Sequence, residues 1–214
     1  MIQRSLRDHV NGVPEDTFLM FLEHTPVYTA GRHSRETDLL SSSIKIYSVE
    51  RGGSYTYHGP GQLVVYFILN LNYLHITIKD LLKVVEDSEV KVLSSYGIQA
   101  ESRTGKDAGV WLGPRKISST GLSVKEFATM HGIALNINTD LDRFNAINPC
   151  GFPGSIMTSM SEVLGKEVDV REVRNRLFSS LLHVLGQRRI RLFYNLNSLA
   201  REYGISEQLS ETVP

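Results

Sequence analysis

The chain has a single cysteine, Cys150, in 214 residues. One thiol excludes an internal disulfide and a cysteine-built zinc site. Neither sign of charge is in excess, because 23 Lys and Arg balance 23 Asp and Glu and the pI lies near 7.1. Proteins that track nucleic-acid phosphates carry a basic surplus, so no nucleic acid is expected as a partner. Long apolar runs are missing too. The longest covers residues 63–69, far below the roughly 18 needed to cross a bilayer, so no membrane is expected. No basic-then-apolar leader opens the chain, and no Asn-x-Ser/Thr occurs. His-Glu-x-x-His, Cys-x-x-Cys and calcium-loop spacings are absent, so no metal site is expected. Also absent are the phosphate loop, the dinucleotide fingerprint and the Gly-x-Ser-x-Gly elbow of serine hydrolases. No repeat or linker divides the chain. The expectation is one domain over residues 1–214, soluble, cytoplasmic and monomeric.

What is present reads as ordinary globular sequence, 41% hydrophobic and 21% charged. Residues 18–23 are apolar and meet His24-Thr25-Pro26, a strand running into a turn. Residues 63–71 are apolar on both faces and suit a central strand. Thr77 with Asp80 forms a capping-box pattern, followed by apolar residues at helical spacing up to a stop at Gly97. Strands are expected at 109–112 and 116–124, joined by Gly113-Pro114. Alternation through Ile133, Leu135 and Ile137 predicts a half-buried strand. A second capped helix is expected from Asp169 to Gly186. Without regular strand–helix alternation, the class is α+β with a mixed sheet and flanking helices. Arg188, Arg189 and Arg191 form a basic knot, either a solvated surface or a dock for an acidic partner.

Two stretches break the ordinary pattern. Arg51-Gly52-Gly53-Ser54-Tyr55-Thr56-Tyr57-His58-Gly59-Pro60-Gly61-Gln62 holds four glycines and a proline directly ahead of the apolar strand. Glycine permits positive φ and close approach of backbone to a ligand, and the same composition also suits a plain hairpin turn. Asn148-Pro149-Cys150-Gly151-Phe152-Pro153-Gly154 puts the only thiol on a tight loop, not among apolar neighbours. A lone cysteine is usually an inert hydrophobe, and an unperturbed thiol is only about 3% thiolate at pH 7. A reactive one needs a base or a cation. His58 and His131 are candidates, and so is Lys116, at the head of a strand whose next residues are small and polar. The alternative for Lys116 is a solvated surface charge.

The residues Arg51-Gly-Gly-x-x-Thr-Tyr-His-Gly-Pro-Gly-Gln62, Lys116-Ile117 with Gly121, and Asn148-Pro-Cys-Gly151 resemble the lipoyl(octanoyl) transferases of lipoate biosynthesis. The segment Glu23-His24-Thr25-Pro26-Val27-Tyr28-Thr29-Ala30-Gly31-Arg32 is similar to that family's Glu-His-x-Pro-Val-Tyr-Thr-x-Gly-Arg. The chain departs from the family in a short start, relative to its N-terminal helix region, and in Thr120, where an aliphatic residue is usual. The resemblance implies the fold of the catalytic domain of biotin and lipoate protein ligases. It implies transfer of octanoyl from octanoyl-acyl carrier protein to a lysine of lipoyl domains, those of 2-oxo-acid dehydrogenase complexes and of the glycine cleavage H protein. Cys150 would carry the acyl thioester, while Lys116 would stabilise the thiolate and serve as acid and base. Arg51, Gly52, Gly53, Ser54, Tyr55, Thr56, Tyr57 and His58, together with Ser119, Thr120 and Gly121 and with Gly132, Ile133 and Ala134, match segments that hold the acyl substrate. No cofactor is implied, because the acyl group arrives on the phosphopantetheine of the carrier and thioester-to-amide transfer is downhill. The rival readings are an ATP-dependent lipoate or biotin protein ligase, a cysteine-dependent thioester hydrolase and a non-catalytic carrier-binding module.

Overall fold

Helix α1 (Ile2–Gly12) precedes β1 (Thr17–Leu22), β2 (Val27–Ala30), β3 (Ile46–Ser48), β4 (Tyr55–His58) and β5 (Gln62–Ile68). A short α2 (Leu71–Leu74) and a long α3 (Ile78–Ser94) follow, then β6 (Glu101–Arg103), β7 (Gly109–Leu112), β8 (Arg115–Lys125) and β9 (Ala128–Asn136). Next come α4 (Met160–Leu164), α5 (Val170–Leu185) and β10 (Ile190–Phe193). The computed structural model describes residues 2–185 and 190–193.

Local chemistry sets the boundaries. Thr77 Oγ1 accepts from the Asp80 N–H at 3.2 Å and the Asp80 carboxylate accepts from the Thr77 N–H at 2.8 Å, so α3 opens on the expected box. Gly97, at φ +79°, turns the chain after it. The strand expected through residue 71 stops at Ile68, because the Asn70 side chain accepts from the Tyr73 N–H and caps α2 instead. Strands β7 and β8 lie where expected. Helix α5 starts beside Asp169, whose carboxylate accepts from the Arg171 N–H at 2.8 Å. Gly186, Arg188 and Arg189 lie outside the described residues, while Arg191 on β10 faces Asp16 at 3.9 Å. Helix α1 was not expected. Its Ile2, Leu6 and Val10 bury one face against Phe18, Met20 and Ile68.

Ten strands among the described residues make two sheets. The larger runs β10-β1-β5-β9-β8-β7-β6, parallel only between β10 and β1, and the smaller runs β3-β2-β4. The class is therefore α+β with a mixed sheet. Helices α3 and α5 cover one face of the large sheet over Leu19, Phe21, Leu63, Val65, Phe67, Leu135 and Ile137. On the other face α1 covers one side and the small sheet sits with Phe144, Ile147 and Met157. Strand β9 is buried on both faces, not half-buried as the alternation suggested. Ala134 lines a covered cavity, and the fully buried Asn136 amide satisfies its polarity by accepting from Gln62 and donating to the Thr158 carbonyl. Among the described residues, no helix is long and apolar enough to cross a membrane.

Candidate active site

The cavity between the two sheets has a volume of about 230 Å³. Its floor comes from β5, β8 and β9 and its roof from β2, β4 and the 51–53 segment, with Gln3 of α1 at one wall. Both Cys150 and Lys116 line it.

Cys150 is exposed to the cavity from a left-handed backbone, φ +56° and ψ +26°, inside the 3₁₀ turn Pro149–Gly151. The loop is pinned by Asn148, whose N–H donates to the Asp38 carbonyl at 2.7 Å. A non-glycine residue held at positive φ is strained, and here the strain presents the thiol at the cavity edge. The Gly53 backbone, at φ +79°, passes so close that a Cβ on it would stand 3.9 Å from the Cys150 Sγ. Glycine at 53 therefore brings main chain against the thiol.

Lys116 reaches the cavity through an irregularity in β8. Val110 pairs with Ser118 and Trp111 with Lys116, so Ile117 is an extra residue in the ladder. Ser118, Thr120, Leu122 and Val124 keep the period of two toward the helix layer, and the bulge turns Lys116 to the opposite side. The lysine is buried, donates to the Ala108 carbonyl at 2.7 Å and lies over the Trp111 ring at 5.2 Å. Burial pushes its pKa below the ordinary lysine value, and Cys150, Asp107 and Glu86 oppose that fall. A lysine so placed gives up its proton more readily than one in water.

Arg51 crosses the roof. Its guanidinium donates to the Thr29 carbonyl and hydroxyl and to the Gly52 carbonyl, and burial pushes it down to about 10 while Cys150 supports its charge. Three imidazoles line the cavity, His24, His58 and His131. Desolvation lowers them to about 4, 3 and 4, so all three are neutral at pH 7. His24 bonds the Tyr66 hydroxyl at 2.6 Å and His58 bonds Gln62 at 2.7 Å. The remainder of the lining is largely apolar or small, including Val27, Val64 and Ala134.

Of the matched segments, Arg51, Gly52, Gly53, Tyr55, Thr56 and His58 line the cavity, as do Ser119, Gly121, Gly132, Ile133 and Ala134. Thr120 borders it too, with its hydroxyl turned toward Glu86 on the helix side. Ser54 and Tyr57 do not. Tyr57 lies on the far face of β4, its ring 5.7 Å edge-on to Phe144, and the Ser54 hydroxyl approaches Asp38 at 3.5 Å. Gln3, Thr29, Tyr47, Val49 and Tyr66 also line the cavity and were missed. Tyr66 had a signal in the chain, a hydroxyl on an otherwise apolar central strand. Gln3 had none.

The model of the lipoyl protein ligase A/B catalytic domain matches residues 1–182. A probable octanoyltransferase 2 from Picrophilus torridus is 46% identical over 179 residues, 84% of this chain and 71% of its own length. An octanoyltransferase from Bacteroides fragilis is 41% identical over 187 residues, 82% of this chain and 84% of its own. Among solved structures, lipoate-protein ligase A bound with ATP superposes with a TM-score of 0.71 at 19% identity, covering 96% of this chain and 92% of that one.

Proposed function

Because this chain belongs to the lipoyl protein ligase A/B catalytic domain family, with octanoyltransferases among its relatives, we propose that it is an enzyme of protein lipoylation. It moves the octanoyl group from octanoyl-acyl carrier protein to a lysine of lipoyl domains. The acceptors are those of 2-oxo-acid dehydrogenases and of the glycine cleavage H protein. The observation that carries this reading is the meeting of Cys150 and Lys116, from separate stretches of chain, at one largely apolar cavity.

In the first half-reaction Lys116 takes the Cys150 proton and the thiolate attacks the donor thioester. The new sulfur–carbon bond forms as the donor's breaks, and the departing carrier sulfur takes the proton from Lys116 and leaves as a thiol. In the second, the acceptor amine attacks acyl-Cys150 and loses one proton to neutral Lys116, the carbon–sulfur bond breaks, Cys150 departs as thiolate, and an amide replaces the thioester. Both steps pass through oxyanions. Backbone N–H groups of the glycine loop and the Cys150 turn are their donors, each worth about 10²–10³ in rate in comparable sites. No ATP and no cofactor enters, since the donor arrives activated. Chain-length selection is graded, at about 0.8 kcal/mol for each methylene buried in the cavity.

The test is the intact mass of the protein after incubation with octanoyl-acyl carrier protein, with no ATP present. One octanoyl increment is expected, absent in Cys150→Ala. Adduct formation only with ATP and free lipoate would support a ligase instead. Release of free octanoate without a lipoyl domain would support a hydrolase.

A further inference from the structure

On the helix side of the large sheet, α3 sends two carboxyl groups into an otherwise apolar layer. Glu86 is 1% exposed and Glu89 fully buried, and none of their four oxygens completes a hydrogen bond. Buried carboxyl groups without full partners are costly, and a Leu would pack these helix positions without that cost. Opposite them β8 presents the Ser118 and Thr120 hydroxyls, also buried and without a completed bond. Glu89 turns toward Ser118, and Glu86 toward Thr120 and the Gly109 N–H.

Gly109, at φ +134°, is the thin point of this layer. A Cβ there would stand 2.8 Å from the Lys116 Cε, so the lysine stem runs directly over the glycine. Glu86 lies against the N–H of the same residue, and its charge acts on Lys116.

We propose that Glu86 is a positioning residue for Lys116, supplying past Gly109 the buried negative charge that faces the lysine ammonium. This rests on the Cys150–Lys116 reading above. The other titratable groups facing the pair are Glu89 and Asp87 on α3, Asp107 before β7, and Cys150 across the cavity. Burial pushes Glu86 up to about 7 and Glu89 up to about 8, so as pH rises Glu86 gains its charge before Glu89 does. During acylation Lys116 holds the thiol proton until the carrier thiolate departs. Glu86 keeps it there, and without that charge Lys116 sheds its proton at lower pH.

The experiment is single-turnover acylation of Cys150 from octanoyl-acyl carrier protein, read by intact mass from about pH 6 to 10, where the alkaline limb reports the acid that must stay protonated. Glu86→Gln is expected to move that limb down by about one pH unit, a tenfold loss at the alkaline end. Lys116→Arg keeps its charge throughout, loses the limb, and makes Glu86→Gln silent when the two are combined. A thermal melt of Glu86→Gln at or above the parent's separates this effect from unfolding. If that variant fails to fold, Glu86→Asp must move the limb in the same direction by less, or the proposal falls. An unmoved limb in folded Glu86→Gln overturns it, as does an equal shift in the Lys116→Arg background. A limb that persists in Lys116→Arg would instead remove the lysine reading, and this proposal with it.

Discussion

The two faces of the large sheet are made by alternate residues of the same strands, yet they hold opposite chemistry. On β9, Leu135 joins the helix-side core, while Ala134 and Asn136 face the cavity side. On β5, Leu63, Val65 and Phe67 meet the helices while Gln62, Val64 and Tyr66 face the other way. The helix side is greasy and buries two carboxyl groups. The cavity side holds three half-buried, neutral imidazoles. Fold and site are thus separated by the pleat alone, which lets one face be tuned without rebuilding the other.

Lys116 is the residue that crosses this division, and substituting it has the largest expected effect. Lys116→Arg should retain part of Cys150 acylation but lose at least about 100-fold in transfer to the lipoyl domain, since a guanidinium cannot accept the amine proton. Single-turnover rates for each half-reaction decide this. Near-normal amine transfer would assign the proton to another base, with His58 or His131 next to test.

Neighbouring residues on β9 sharpen the contrast further. Leu135→Ala should cost about 2–5 kcal/mol of stability in a denaturant titration, while the folded enzyme keeps its turnover. Ala134→Leu should do the reverse, filling the cavity and cutting octanoyl transfer about tenfold or more with the unfolding midpoint nearly unchanged. If both variants behaved alike, the separation of faces would be wrong.

The smallest effect is on stability against pH, and the faces pull in opposite directions. The imidazoles are depressed in the fold, so their contribution is whole above about pH 6.5 and is lost as pH falls toward 4. The carboxyl groups are raised, so theirs is whole below about pH 4.5 and is lost as pH rises through 7 and 8. Each proton contributes a slope of about 1.4 kcal/mol per pH unit within its window, moderated at the histidines by their exposure to the cavity. Thermal melts of Glu89→Gln should flatten only the alkaline side, and those of His24→Asn only the acid side.

Much of this was legible in the chain before any fold. The capping box at Thr77 and Asp80, the apolar strand before Asn70 and the strand pair around Gly113 are local patterns, decided by neighbours a few residues away. The glycine loop at 51–62 and the thiol in its Pro/Gly turn stand out for the same reason, as backbone chemistry written in residue type. What the tertiary structure alone decided is which way side chains face and what they meet. A period-two reading of β8 puts Lys116 on the helix side with Ser118, and the bulge at Ile117 reverses it. Strand β9 looked half-buried because Asn136 is polar, and only the partners Gln62 and Thr158 make its burial affordable. Gln3 reaches the cavity and accepts from the His131 N–H at 2.7 Å, a contact across 128 residues of chain. Periodicity carries no information about register shifts or long-range partners, because both are set by packing between segments that the chain itself keeps far apart.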